Sequence, residues 1–176
     1  MKRYQLIPDY CFDSIYEVKP AFLKQIGVRG LACDIDNTLV TYDDAKPTPE
    51  VLAWLKDMTE AGICVAFVSN NHASRVNVFN EELGLFAAAD AKKPSIGALL
   101  RFFEHAGVAP DEAAVVGDQI FTDVWMAKRA GAKALLVPPI KDRTDLFHRL
   151  KRLGEKPLLH RYYRRLKRRA AQSGQK

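Results

Sequence analysis

Short apolar runs alternate along this chain with segments whose apolar residues recur every three or four positions. The runs 28–35, 63–68, 86–89, 113–116 and 132–137 are largely apolar without period-2 alternation, as strands buried on both faces are. Between them the spacing predicts helices. Thr48-Pro49-Glu50 opens one that runs to about Glu60, with Thr as cap and Pro in the first turn. A second spans about 74–83 and stops at Gly84. Pro94 opens a third that runs through His105 and closes at Gly107, and 122–130 forms a fourth. Two further helix-like segments, 142–153 and 157–170, finish the chain. Strands alternating with helices predict an α/β fold: a Rossmann-like, three-layer sandwich around a parallel central sheet, with its ligand site at the carboxyl ends of the strands.

Composition places this pattern in one ordinary domain. At 176 residues, 48% hydrophobic and 27% charged, the chain can bury a core without disulfide or metal staples. No apolar run approaches the roughly 18–20 residues needed to cross a bilayer. Pro8 and Asp9 interrupt anything resembling a signal-peptide core, so export is not expected. Cys11, Cys33 and Cys64 form no C-x-x-C pair, which suits reduced thiols in the cytoplasm. Charge changes the picture at one end. Residues 141–176 hold 13 Lys and Arg against 3 Asp and Glu, whereas residues 1–140 hold 14 against 18. The expected division is a domain over 1–155 and a basic amphipathic tail over 156–176.

The candidate chemistry lies just after the strands. The first ends in Asp34-Ile35-Asp36-Asn37-Thr38, which sends two carboxylates toward one site if the chain leaves extended geometry there. The second ends in Ser69-Asn70-Asn71, hydroxyl and amide groups suited to phosphate oxygens. Lys93-Pro94 places a cation before a predicted helix N-terminus, where backbone N–H groups also attract an anion. Gly117-Asp118 ends the fourth strand, with Asp123 five residues on. Clustered carboxylates repel one another unless a hard dication neutralises them, and oxygen ligands suit Mg²⁺. A carboxylate nucleophile, a lysine and Mg²⁺ are the parts of phosphoryl transfer through an aspartyl-phosphate.

Asp34-x-Asp36-x-Thr38, Ser69, Lys93 and Gly117-Asp118-x4-Asp123, in that order and each following a strand, resemble the four motifs of haloacid dehalogenase-like (HAD) phosphatases. The motif core covers residues 28–137. Asp36-Asn37-Thr38-Leu39, the Lys-Pro pair and Leu6-Ile7-Pro8-Asp9 further resemble the small YqeG-type subclass IIIA phosphatases, relatives of which include phosphatidylglycerophosphate phosphatases. The resemblance implies that Asp34 is the nucleophile and Asp36 the general acid and base. It implies Mg²⁺ ligation by Asp34, the backbone carbonyl of Asp36, and Asp118. Ser69, Asn70 and Lys93 would bind the phosphoryl group, Asp123 would orient the metal shell or Lys93, and Thr38 would shape the loop. An acid at position 36 favours hydrolysis over a long-lived phospho-enzyme.

Thirty residues separate Thr38 from Ser69 and twenty-three separate Ser69 from Lys93, room for a helix and strand each but not for a large cap domain. An open site suits a substrate with a bulky or membrane-embedded remainder, such as a phospholipid head group; a soluble nucleotide or sugar phosphate is the alternative. In the segment 157–170, Leu159, Tyr162, Leu166 and Ala170 form an apolar stripe among Arg161, Arg164, Arg165, Lys167, Arg168 and Arg169. A helix of this kind can lie on an anionic membrane, pack on the body, or contact nucleic acid. The expected location is cytoplasmic, with peripheral contact at the inner membrane face. Several residues read more simply. Lys-Pro favours Lys93 over Lys92; His72 reads as a solvated loop residue; Cys33, Trp54, Trp125, Phe102 and Phe103 read as packing.

Overall fold

The central strand carries the nucleophile candidate out of the core. A computed structural model describes residues 6–141 and Tyr162. Its strands are β1 (Tyr10–Cys11), β2 (Gly30–Cys33), β3 (Cys64–Val68), β4 (Phe86–Ala88), β5 (Ala113–Gly117) and β6 (Lys133–Leu136). They form one parallel sheet in the order β1-β6-β5-β2-β3-β4. Cys33 of β2 lies level with Phe67 of β3 and Val116 of β5, so the three loops that follow leave the sheet side by side.

Successive residues of each strand face opposite layers. Leu31, Cys33, Val65, Phe67, Ala114 and Val116 pack with α1 (Pro20–Gln25), α2 (Pro49–Glu60) and α3 (Ala73–Asn80). Ala32, Ala66, Val68, Ala113 and Val115 pack with α4 (Gly97–Ala106) and α5 (Trp125–Ala130). Small side chains on that second face leave room for Phe102 and Phe103. With both faces covered, the strands are apolar throughout, which is why they are visible as runs. The result is a Rossmann-like three-layer α/β sandwich. Only α2 lies between β2 and β3, and only α3 between β3 and β4; no large cap interrupts the described residues.

Thr48 caps α2 by accepting from the Val51 N–H (3.3 Å), and Gly107 ends α4 in a left-handed conformation (φ 60°). One helix start differs from expectation. α4 begins at Gly97, not Pro94, because a turn closed by the Ser95 N–H on the Lys92 carbonyl (2.9 Å) precedes it. Lys93 therefore sits in a turn and not at a helix N-terminus. The expected helix over 122–130 is a π-helical turn, Ile120–Val124, followed by α5. The N-terminal β1 and α1 complete the edge of the sheet and the first helical layer; Trp54 donates from Nε1 to the Val18 carbonyl (2.9 Å) to join them to α2. The segments 142–153 and 157–170 lie outside the described residues, Tyr162 excepted. Tyr162 is helical and buried, and its hydroxyl accepts from the Cys11 N–H at 3.1 Å.

Candidate active site

Asp34 remains attached to the sheet through its N–H, which donates to the Val116 carbonyl (3.0 Å). The chain then coils tightly: the Thr38, Leu39 and Val40 N–H groups all donate to the Ile35 carbonyl (3.3, 2.9 and 3.3 Å). Asn37 takes the left-handed conformation (φ 67°) that Asn tolerates better than most residues. Its side chain brackets Lys141, accepting from the Lys141 N–H (2.8 Å) and donating to the Lys141 carbonyl (2.9 Å). The coil brings Asp34 and Asp36 to one cleft of about 270 Å³, lined also by Tyr42, Ser69, Asn70, Asn71, Lys93, Gln119 and Thr122.

Lys93 is buried, and its Nζ lies 2.7 Å from both Asp34 Oδ1 and Asp123 Oδ1. Lys92 beside it is exposed. Asn70 fixes the Lys93 main chain from both ends of its amide, accepting from the N–H (2.6 Å) and donating to the carbonyl (3.4 Å). Asp123 Oδ2 accepts from the Gln119 N–H (3.2 Å) and the Thr122 hydroxyl (3.1 Å). Gly117 makes this approach possible, since a Cβ there would meet Asp123 at 2.3 Å. Ser69 is buried, its Oγ accepting from the Asn71 N–H (3.0 Å). Thr38 Oγ1 lies 3.4 Å from Asp118 Oδ1, a long hydrogen bond.

The charges do not balance. Asp34, Asp118 and Asp123 each offer an oxygen within 4.8 Å of the others, around a single ammonium. Burial pushes the Asp34 carboxyl up to about 7; Lys93 opposes the rise and Asp123 adds to it. Burial, then Asp123 and Asp34, push Asp118 up to about 8. Burial also favours a neutral Lys93, but the two carboxylates outweigh it and hold the ammonium above its ordinary value. A clustered, buried, all-oxygen donor set short of positive charge fits a hard divalent cation.

Asp36 stands apart from that cluster. Its Oδ1 lies 3.2 and 3.0 Å from Nε and Nη2 of Arg75, and its Oδ2 accepts from Asn71 Nδ2 (3.1 Å). His72 is exposed and 2.9 Å from Asp90. Sequence reasoning missed Arg75, Tyr42, Gln119 and Thr122, and it placed Asn71 among groups for phosphate oxygens where its amide donates to Asp36. One signal was available for Arg75: a cation in the first turn of a helix opposes the helix dipole and calls for another reason to be there.

A family model of haloacid dehalogenase-like hydrolases matches residues 9–131. The chain belongs to this family. It is 35% identical over 153 residues to the probable phosphatase YqeG of Bacillus subtilis (strain 168), covering 87% of this chain and 89% of that one. Solved structures of similar fold include the cobalt-bound deoxy-D-mannose-octulosonate 8-phosphate phosphatase of Haemophilus influenzae (TM-score 0.53, 18% identity, 65% of this chain and 70% of that one). Another is CbbY of Rhodobacter sphaeroides in complex with phosphate (TM-score 0.54, 13% identity, 68% of this chain and 90% of that one). At these identities the likeness is one of fold. This haloacid dehalogenase-like enzyme thus pairs a family whose phosphatases generally use a divalent metal with an acidic triad able to hold one.

Proposed function

We propose that the chain is a Mg²⁺-dependent phosphomonoester hydrolase that works through an aspartyl-phosphate on Asp34. The observation that carries this reading is the Asp34 carboxylate on the cleft wall, 2.7 Å from the Lys93 ammonium, with a second carboxylate, Asp36, in the same cleft. Asp34 attacks phosphorus as the bond to the leaving oxygen breaks. The Asp36 carboxyl gives its proton to that oxygen. Asp36, now a carboxylate, takes a proton from the water that attacks the acyl-phosphate; phosphate leaves, Asp34 is restored and Asp36 is again protonated. Ser69 and Lys93 hold phosphoryl oxygens, Lys93 balancing charge as it develops. Asn70 serves through the Lys93 backbone, and Asp123 orients the Lys93 ammonium. Asp34, Asp118, Asp123 and the backbone carbonyl of Asp36 would hold Mg²⁺, which when bound neutralises the carboxylates and the phosphoryl oxygens.

The uncapped cleft supports a substrate with a large remainder, such as phosphatidylglycerophosphate or a similar phospholipid head group. A second reading, a soluble nucleotide or sugar phosphate, is favoured by Tyr162: a member of the apolar stripe suited to a membrane is buried against β1 instead. Phosphate release with Mg²⁺ from phosphatidylglycerophosphate in anionic vesicles and from soluble esters tests both. Turnover confined to the vesicles supports the head-group reading, and turnover confined to soluble esters supports the second. Full activity in Asp34→Asn would refute the mechanism.

A further inference from the structure

We propose that Arg75 is the positioning residue of the acid–base carboxylate, anchoring Asp36 by Oδ1 and leaving Oδ2 as the oxygen that carries the proton. The inference rests on the phosphatase reading and adds to it a residue and an atom. Arg75 lies in the first turn of α3, and its side chain is only 15% exposed. All three of its guanidinium nitrogens are engaged. Nε and Nη2 meet Asp36 Oδ1, Nη1 donates to the Ala45 carbonyl (2.6 Å), and Nη2 donates to the Asp44 carbonyl (2.7 Å). The guanidinium also lies 5.7 Å from the centroid of the Phe79 ring one turn on.

Two consequences follow from where the guanidinium lies. Asp36 Oδ1 accepts from the charged Nε and lies 3.0 Å from the charged Nη2, so a proton on that oxygen would sit against the guanidinium charge. Oδ2 receives one N–H, from the neutral Asn71 amide, and keeps a site for a proton. The same fork ties α3 to the coil after β2 and to the loop 41–47 that continues it. Tyr42 of that loop lines the cleft, so Arg75 sets the acid–base carboxyl and the cleft wall from one rigid plane. A lysine presents its donors from one point and cannot span these partners.

The test measures kcat/KM, which reports the first chemical step, for phenyl phosphate and p-nitrophenyl phosphate. Nitrophenolate needs little help in leaving; phenolate needs a proton. Arg75→Ala is expected to lose about 100-fold on phenyl phosphate and less than about tenfold on the nitrophenyl ester. Arg75→Lys should show the same split, and added methylguanidinium should narrow it in the Ala variant. An equal loss on both esters would mean a structural or phosphate-binding role and overturn the proposal. So would unchanged rates in both variants. If Arg75→Ala fails to fold, Arg75→Lys decides by the same ratio. A wild-type chain that cleaves neither these nor any other phosphate ester overturns the phosphatase reading itself, and this inference with it.

Discussion

Lysine meets carboxylate at 2.8 Å on the surface of this molecule, between Lys46 and Glu82, and at 2.7 Å in its cleft, between Lys93 and Asp34. The lengths are alike, and the difference lies in water. The Lys46 and Glu82 side chains are 53% and 69% exposed, so solvent and salt screen the pair and it contributes little. Lys93 is 2% exposed and Asp34 8%. There, each carboxylate has lost its hydration, and one ammonium serves two of them directly while Asp118 stands close by. Such an arrangement is poor material for stability. What it provides is concentrated negative charge beside one fixed positive charge, which suits the cation and phosphoryl group of the proposed reaction.

The comparison is most easily broken at the lysines themselves. Lys93→Ala should lower turnover by on the order of 10³, since a positioned charge on the transferring group is lost. It should also lower the melting temperature, because it leaves buried carboxylates without their partner. A near-normal rate of phosphate release would remove Lys93 from the chemistry. Asp118→Ala is the next largest: the Mg²⁺ concentration for half-maximal rate should rise at least about tenfold. A Mg²⁺ titration unchanged from wild type would take Asp118 out of the metal site.

Acidity separates the two regions again. Asp34 and Asp118 titrate near 7 and 8 in the fold but near 4 when unfolded, so between those values the folded chain holds more protons than the unfolded one. Stability from these groups is therefore full below about pH 4 and falls as pH rises toward 8. In chelator, the wild-type melting temperature should fall from pH 5 to pH 8 by more than that of Asp118→Ala, and Mg²⁺ should restore more at pH 8 than at pH 5. Equal slopes for the two proteins, measured by calorimetry, would count against the charge imbalance. The smallest effect is expected at the surface: Lys46→Ala should leave the rate and the melting temperature unchanged, and a clear drop in either would show that the exposed pair matters more than its setting suggests.

What could be read from the sequence follows the same division between local and distant causes. The central strands were legible because burial on both faces leaves unbroken apolar runs. Asp34, Ser69 and Asp118 could be grouped because each directly follows a strand of one parallel sheet, and Lys93 and Asp123 because they lie five and six residues past strand ends at the same edge. β1 was not legible, since two residues between Pro8 and Phe12 carry no period. The start of α4 was misplaced because proline suits a first helical turn and a tight turn equally well. Arg75 was invisible as a partner of Asp36, as nothing local connects positions 39 apart. Asn70 was legible as a site residue, but its hold on the Lys93 backbone depends on how two separate loops lie together.

Gly117 touches no substrate atom in the chemistry above, yet it governs how the enzyme would respond to mutation. Its constraint is one of space, because even a methyl group would overlap the carboxyl of Asp123. Displacing that carboxyl moves the partner of the Lys93 ammonium. In a saturation library selected for activity, position 117 should therefore have glycine as its sole survivor, while exposed neighbours in sequence tolerate change. A scan that ranks residues by intolerance would score this backbone position beside the nucleophile. The hydrogen atom at Gly117 would be under selection as strictly as any reacting group.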